Sequence, residues 1–299
     1  MPKNIKVGKH TIELAHADKV LFPADNITKG DLAEYYHRVA EVMLPYLQQR
    51  AITMHRFPDG IAEDGFYQQE AADYFPDWVK LVSLRRIRGG SVNHIICSNS
   101  ATLVYIANLA CITPHAWMSR VDHPNYPDML IFDLDPPDDD FEPVRKAAGV
   151  IRNTLEDLGL KPYAKTTGSR GLHVVVPLDR KSDFESVHGF TKEVAALIAK
   201  REPKTMTDEQ RKDKRKGRMF IDYLRNSYGQ TAVAPYAVRS RQGAPVATPI
   251  DWDELRSSKL HSQSYNIKNI FRRLSRKDDP WDGMWDNACS LDAVRNRLK

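Results

Sequence analysis

Cysteine is scarce in this chain of 299 residues. Cys97, Cys111 and Cys289 stand far apart, with no C-x-x-C pair and no Cys/His cluster at zinc-ligand spacing. A disulfide scaffold and a structural zinc ribbon are excluded, and a reducing, intracellular setting is the expectation. Long apolar runs are missing as well. The longest, Ala101 to Ile112, is interrupted by Thr102 and Asn108 and is too short for the roughly 30 Å hydrocarbon core of a bilayer, so no membrane span is expected. Met1-Pro2-Lys3-Asn4-Ile5-Lys6 is basic but leads into no apolar segment, unlike a signal peptide. Internal repeats and Gly/Ser-rich linkers are absent, which leaves no seam between independent domains.

What is present suffices for a core: 41% hydrophobic residues, five Trp and twelve Tyr beside 28% charged residues, so global disorder is excluded. Forty-four Lys and Arg against thirty-nine Asp and Glu give a net charge of only +5. Its placement is informative. Lys200 to Arg218 holds nine basic and four acidic residues, so this stretch carries the whole surplus and the rest sums to zero. With Pro203, Gly217 and few apolar side chains it reads as an exposed loop, suited to a phosphate backbone or simply to solvent. Smaller basic clusters lie at Arg85, Arg86 and Arg88 and from Lys268 to Lys277.

Thr28-Lys29-Gly30-Asp31 has the form of a capping box, and Leu32, Tyr35, Val39, Val42 and Met43 follow at helical spacing, predicting a helix from Lys29 to the region of Pro45. Ser100 to Ile112 reads as a buried core helix. Met129 to Leu134, bounded by Pro127 and Pro136, reads as a buried strand. Pro143 opens an amphipathic helix closed by Gly159. Val174–Val176 is a second strand, Phe184 to Lys200 a further helix, and Met219 to Leu224 a third strand. Strands and helices mix throughout, which predicts an α/β body of the mixed α+β kind. We expect a single domain over 1–299, with an N-terminal part of about 1–120 and a second part from about 121.

Asp133 and Asp135 end the first of these strands, and the period of two points both carboxylates the same way. Like charges so placed call for protons, Arg/Lys or a divalent cation, and an all-oxygen donor set suits Mg²⁺ or Mn²⁺ rather than zinc. Pro136-Pro137 stops the strand and opens its edge. Asp222, within an apolar strand, is the third candidate ligand. Each acid alone also fits a strand-end Asp satisfied by backbone donors. An aspartyl-nucleophile phosphohydrolase of the D-x-D-x-[TV] kind is excluded by Pro137. Thr167-Gly168-Ser169-Arg170-Gly171-Leu172-His173 then combines two turn-forming glycines with hydroxyl and cationic donors in front of a strand, a cradle suited to a polyphosphate but not a Walker P-loop. A glycine-rich turn with a solvated Arg and a core His is the plainer alternative.

In this order, and with Phe220-Ile221-Asp222, Ala234-Pro235-Tyr236 and Arg239 beyond, these residues resemble the polymerase domain of bacterial DNA ligase D and stand-alone end-joining polymerases, members of the archaeo-eukaryotic primase superfamily. The resemblance runs from Asp18-Lys19-Val20-Leu21-Phe22-Pro23 past Trp252. It implies that superfamily's catalytic core, with mixed sheets flanked by helices. It also implies a template-directed nucleotidyltransferase that fills gaps and extends DNA ends in non-homologous end joining, using NTPs or dNTPs, often ribonucleotides, with two Mn²⁺ or Mg²⁺ ions. By the same resemblance Asp133 and Asp135 bridge the ions and Asp222 completes the site. Thr167, Arg170, Gly171 and His173 grip the triphosphate, with Ser169, Arg239 and His55 near the nucleotide. Thr167 and Arg170 stand where the family commonly has Ser and Lys, and His55 where some relatives have Lys. Lys19 and Lys29 match a pair that binds the 5′-phosphate across a gap, Phe66 and Tyr67 an aromatic position that packs on the template strand, and His115 a histidine near the active site.

No K-x-D-G ligase motif occurs up to Lys299, so nick sealing is expected from a separate ligase, with a Ku-like end binder as a further partner, on cytoplasmic DNA with no membrane involved. Zinc ligands of the kind found in cellular primases are missing, which speaks against de novo priming as the main activity. Two other classes stay open at the level of sequence: a two-metal nuclease or phosphohydrolase, and a non-catalytic DNA-end bridging factor.

Overall fold

The computed structural model describes residues 3–136, 138–295 and 297–298; Pro137, half of the expected strand stop, lies outside them. In chain order the elements are β1 (Lys3–Val7), β2 (His10–Leu14), β3 (Val20–Phe22), β4 (Ile27–Thr28), α1 (Lys29–Met43), β5 (Ala51–Arg56), β6 (Phe66–Gln68), β7 (Lys80–Arg85), β8 (Ser91–Ile96), α2 (Ser100–Asn108) and β9 (Cys111–Trp117). They continue with β10 (Met129–Asp135), α3 (Glu142–Asp157), β11 (Tyr163–Thr166), β12 (Leu172–Pro177), α4 (Phe184–Arg201), β13 (Met206–Thr207), β14 (Met219–Asp222), β15 (Thr231–Val233), β16 (Pro249–Ile250), α5 (Ile270–Leu274) and α6 (Leu291–Arg295). The fold is mixed α/β, and the chain forms two compact units.

The first unit comprises Met1–Asp122, Thr231–Ala247 and Tyr265–Arg273. Its main sheet has the order β15-β9-β5-β8-β7, with β6 also paired to β5. The capping box forms as expected: the Asp31 N–H donates to Thr28 Oγ1 at 3.1 Å, and the Thr28 N–H to Asp31 Oδ2 at 2.8 Å. The buried stripe of α1, Leu32, Tyr36, Val39 and Met43, packs against α2. The Tyr36 hydroxyl donates to the Ile112 carbonyl at 2.6 Å and accepts from the Val238 N–H at 3.0 Å, tying the returning segment to the start of β9. The apolar run from Ser100 departs from expectation. It is helix only to Asn108; Ala110 takes a left-handed φ of 56°, and Cys111 and Ile112 already belong to β9. Periodicity cannot separate a buried helix from a buried strand where both are continuously apolar.

The second unit comprises His123–Gln230, Thr248–Ser264 and Leu274–Lys299. Its sheet has the order β13-β14-β10-β12-β11-β16. Within it β10-α3-β11-β12-α4-β14 is a split βαβ arrangement, with β12 antiparallel between β10 and β11. Pro143 sits in the first turn of α3, Val144, Ala147, Ala148, Ile151 and Leu155 are buried, and Gly159 with φ 83° ends the helix. Leu130, Phe132 and Leu134 share one sheet face with Leu172 and Val174; Ile131, Asp133 and Asp135 share the other. The basic segment is more ordered than its composition predicts. Met206–Thr207 forms β13, both residues buried, and Lys212–Lys214 a turn of 3₁₀ helix. Arg215 lies over the Phe220 ring at 3.9 Å and donates to the carbonyls of Glu209 and Gln210, so part of the charge folds the loop on itself.

Candidate active site

Register assembles the acids. Asp133 on β10 lies directly opposite Asp222 on β14 and, on its other side, opposite His173 on β12; His173 in turn lies opposite Lys165 on β11. Direct partners in antiparallel strands project to the same face, so Asp222, Asp133, His173 and Lys165 form one ionisable row across four strands. Asp135, two residues along, stands on the same face in the next row, opposite Phe220. Asp222 ends β14 rather than lying inside a strand reaching Leu224: the Leu224 N–H turns back to its Oδ1 at 2.8 Å.

The electrostatics of the row are lopsided. Asp133 is 6% exposed, and burial alone would raise its pKa. Arg225 Nε at 2.6 Å from Oδ2 and His173 Nε2 at 3.4 Å from Oδ1 outweigh that and hold the carboxyl well below the usual range. His173 is pushed down to about 4 by burial and the charge of Lys165, so it is neutral near pH 7 and donates from Nε2. Asp222 is shifted up by burial and by the charge of Asp133, against the Leu224 hydrogen bond. Arg170 Nη2 lies 3.3 Å from both oxygens of the exposed Asp135. Two facing carboxylates that repel each other, with a third nearby, suit a hard cation.

Among the described residues no three His, Cys, Asp or Glu side chains gather into a group that would hold a metal ion. Asp133 and Asp222 are nevertheless direct cross-strand partners with Asp135 on the same face, and this all-oxygen donor set fits a hard ion such as Mg²⁺, which takes one or two carboxylates and completes its shell with water and substrate phosphate.

The Thr167–Gly171 loop is organised from within. Thr167 is buried, and its Oγ1 accepts from the N–H groups of Ser169 at 3.3 Å and Gly171 at 3.2 Å. Gly168 takes φ 64°. Gly171 has no room for a side chain, because a Cβ would overlap the Leu134 carbonyl oxygen. Ser262 donates to the Gly171 carbonyl at 2.8 Å and Gln263 to that of Ser169 at 2.8 Å, so a distant segment holds the loop's shape. Ser169 and Arg170 are left half-exposed.

The remaining candidates belong to the first unit. Lys19 pairs with Asp59 at 2.7 Å, and Lys29, the first residue of α1, is buried, its pKa lowered by burial and by the charge of Lys19. The β3–β4 pairing brings the two lysines to the helix N-terminus, where the dipole also favours an anion. His55, Tyr67 and His115 cluster as aromatic rings, while Phe66 points to the opposite face of β6, beneath Arg56. Arg239 contributes the charge that, after burial, lowers His55 to about 4.

Sequence reasoning missed Arg225, Lys165 and Ser262. Arg225 follows Asp222 by three residues across a strand end, a spacing with no periodic signal. Lys165 becomes visible once β11 and β12 are paired across the glycine loop. Ser262 is 91 residues from its partner Gly171.

Residues 28–281 match the family model described as the LigD primase-polymerase domain. The chain belongs to this family. It is thus a primase-polymerase, of the nucleotidyltransferase class. The bifunctional non-homologous end joining protein LigD of Bacillus subtilis is 29% identical over 292 residues, which cover 96% of this chain and 47% of that protein. The multifunctional LigD of Mycobacterium tuberculosis is 32% identical over 281 residues, 91% of this chain and 37% of that protein. The chain thus spans less than half the length of these curated relatives. The polymerase domain of Mycobacterium tuberculosis ligase D, solved in complex with DNA, superposes with a TM-score of 0.87 at 31% identity, covering 93% of this chain and 99% of that one. Members of the LigD primase-polymerase family are metal-dependent, and no helix among the described residues here is long and apolar enough to cross a membrane.

Proposed function

We propose that this LigD primase-polymerase domain extends DNA ends and fills gaps during non-homologous end joining, adding nucleotides, preferentially ribonucleotides, to a templated primer. The observation that carries the reading is the row Asp222–Asp133–His173–Lys165, with Asp135 and the glycine loop beside it: acids at one end, cationic and hydroxyl donors at the other. Asp133, Asp135 and Asp222 would hold two Mn²⁺ or Mg²⁺ ions. Bound there, such ions stabilise the attacking and leaving oxygens of an in-line phosphoryl transfer. His173 and Arg225 together keep Asp133 ionised. Thr167 and Gly171 shape the loop, which presents Ser169 and Arg170 to the triphosphate, and His173 follows it on β12. Lys19 and Lys29 receive the 5′-phosphate beyond the gap, and Tyr67 meets template bases with His115 beside it, whereas Phe66, on the opposite face of β6 beneath Arg56, does not share that face.

The roles fall by unit: 5′-phosphate and template contacts in the N-terminal part, chemistry in the second. We place the activity in the cytoplasm, on the nucleoid when DNA is bound, with a Ku-like end binder and a separate ligase as partners. Primer extension on a gapped duplex tests this. Incorporation is expected, with ribonucleotides ahead of deoxynucleotides in Mn²⁺. It is lost in Asp133→Ala and weakened when the 5′-phosphate is removed. Binding without incorporation under any divalent ion would leave only an end-bridging role, and shortening of labelled ends would indicate a nuclease.

A further inference from the structure

Tyr67 is 61% exposed, yet its ring is not loose. It lies flat on the imidazole of His55, with centroids 4.1 Å apart and 10° between planes. Backbone register causes this: His55 on β5 and Tyr67 on β6 are direct cross-strand partners, and such pairs stand side by side on one sheet face. The imidazole is pinned in turn. Phe57, two residues along, meets it at 4.4 Å and 55°, and is itself 7% exposed. The Phe57 ring has room because residue 65 is glycine; a Cβ there would come within 2.5 Å of it. His115 stands edge-on to both upper rings, at 5.5 Å from Tyr67 and 6.2 Å from His55.

We propose that His55 is a positioning residue: its ring is the base plate on which Tyr67 is held flat, so that the open face of the phenol is ready to stack on an unpaired nucleobase. This rests on the polymerase reading above and gives His55 a different part from direct contact with the nucleotide. One face of the imidazole is covered by Tyr67, and Phe57 meets the ring as well. Being neutral near pH 7, the ring offers no charge to a phosphate but stacks well. A platform ordered before the base arrives loses no rotamer freedom on binding, whereas an unsupported exposed tyrosine would.

The test uses the full chain, without nucleotide, on a duplex whose first unpaired template base is 2-aminopurine, reading affinity and fluorescence quenching. Tyr67→Ala is expected to weaken binding roughly 5- to 150-fold, the worth of one base–aromatic stack. His55→Ala should weaken it about 3-fold or more and reduce quenching, His55→Phe should restore both to within about 2-fold, and His55→Ala should change affinity less than about 2-fold once Tyr67 is alanine. An equal loss from His55→Ala in both backgrounds, or no rescue by phenylalanine, overturns the proposal. Unchanged thermal unfolding of His55→Phe guards against a folding defect. If the parent chain binds no such DNA, the polymerase reading falls and this inference with it; if the parent binds and quenches but the two positions act additively, only the positioning role is lost.

Discussion

Asp222 and Asp133 are held opposite each other at a cost in stability. The raised pKa of Asp222 comes from burial and from its neighbour's charge, so the fold disfavours the ionised form of this carboxyl relative to the unfolded chain. Asp222→Asn removes that repulsion, and we expect a higher unfolding midpoint by calorimetry together with a loss of nucleotide incorporation of at least about 100-fold. Histidines act in the opposite pH range. His55 and His173 are both pushed down to about 4, and His94 is also lowered, in each case chiefly by burial. Between about pH 6.5 and 4 the unfolded chain binds protons that the folded chain does not, so stability falls as pH drops through that window. Thermal unfolding followed from pH 7 to 4.5 should show this decline, and His55→Phe should make it shallower; an unchanged slope would place the proton uptake elsewhere.

At the scale of elements, the closest backbone approach in the site is that of Gly171 to β10. Gly171→Ala must move the Leu134 carbonyl or the loop, and we expect a loss of about 2–4 kcal/mol in denaturant unfolding with incorporation abolished. An equally stable variant would show that the loop has slack. This scale also shows what was legible in the chain alone. The caps of α1 and the Pro143-to-Gly159 frame of α3 are local chemistry, complete within a few residues, and both helices stand where those signals put them. The common face of Asp133 and Asp135 follows from strand period alone. The pairing of Asp133 with Asp222, His173 and Lys165 depends on strand order and register, which no local pattern encodes. The end of α2 failed for the reason that buried helix and buried strand are alike apolar, and β13 was hidden because two buried residues do not stand out in a basic run.

For the molecule as a whole, charge is concentrated where the chain's surplus lies. Arg215 and Arg218 are half-buried in the loop's own carbonyl contacts and Arg211 pairs with Asp213, whereas Lys212, Lys214 and Lys216 are exposed. If the exposed lysines meet phosphates, Lys212→Gln with Lys214→Gln lowers the slope of log affinity for gapped DNA against log salt by about 1–2, at little change in stability. A salt titration of both proteins checks it, and an unaltered slope would mean that the loop faces solvent only. The course of the chain has a consequence of another kind. It passes between the compact units after Asp122, Gln230, Ala247, Ser264 and Arg273. β9 pairs with β15 across more than a hundred residues, and the glycine loop is braced by Ser262. A cut after Asp122 would leave the second unit all its segments but would strip the first of Thr231–Ala247 and Tyr265–Arg273, and with them β15, so a recombination that carried both units into another protein would have to carry them in one piece.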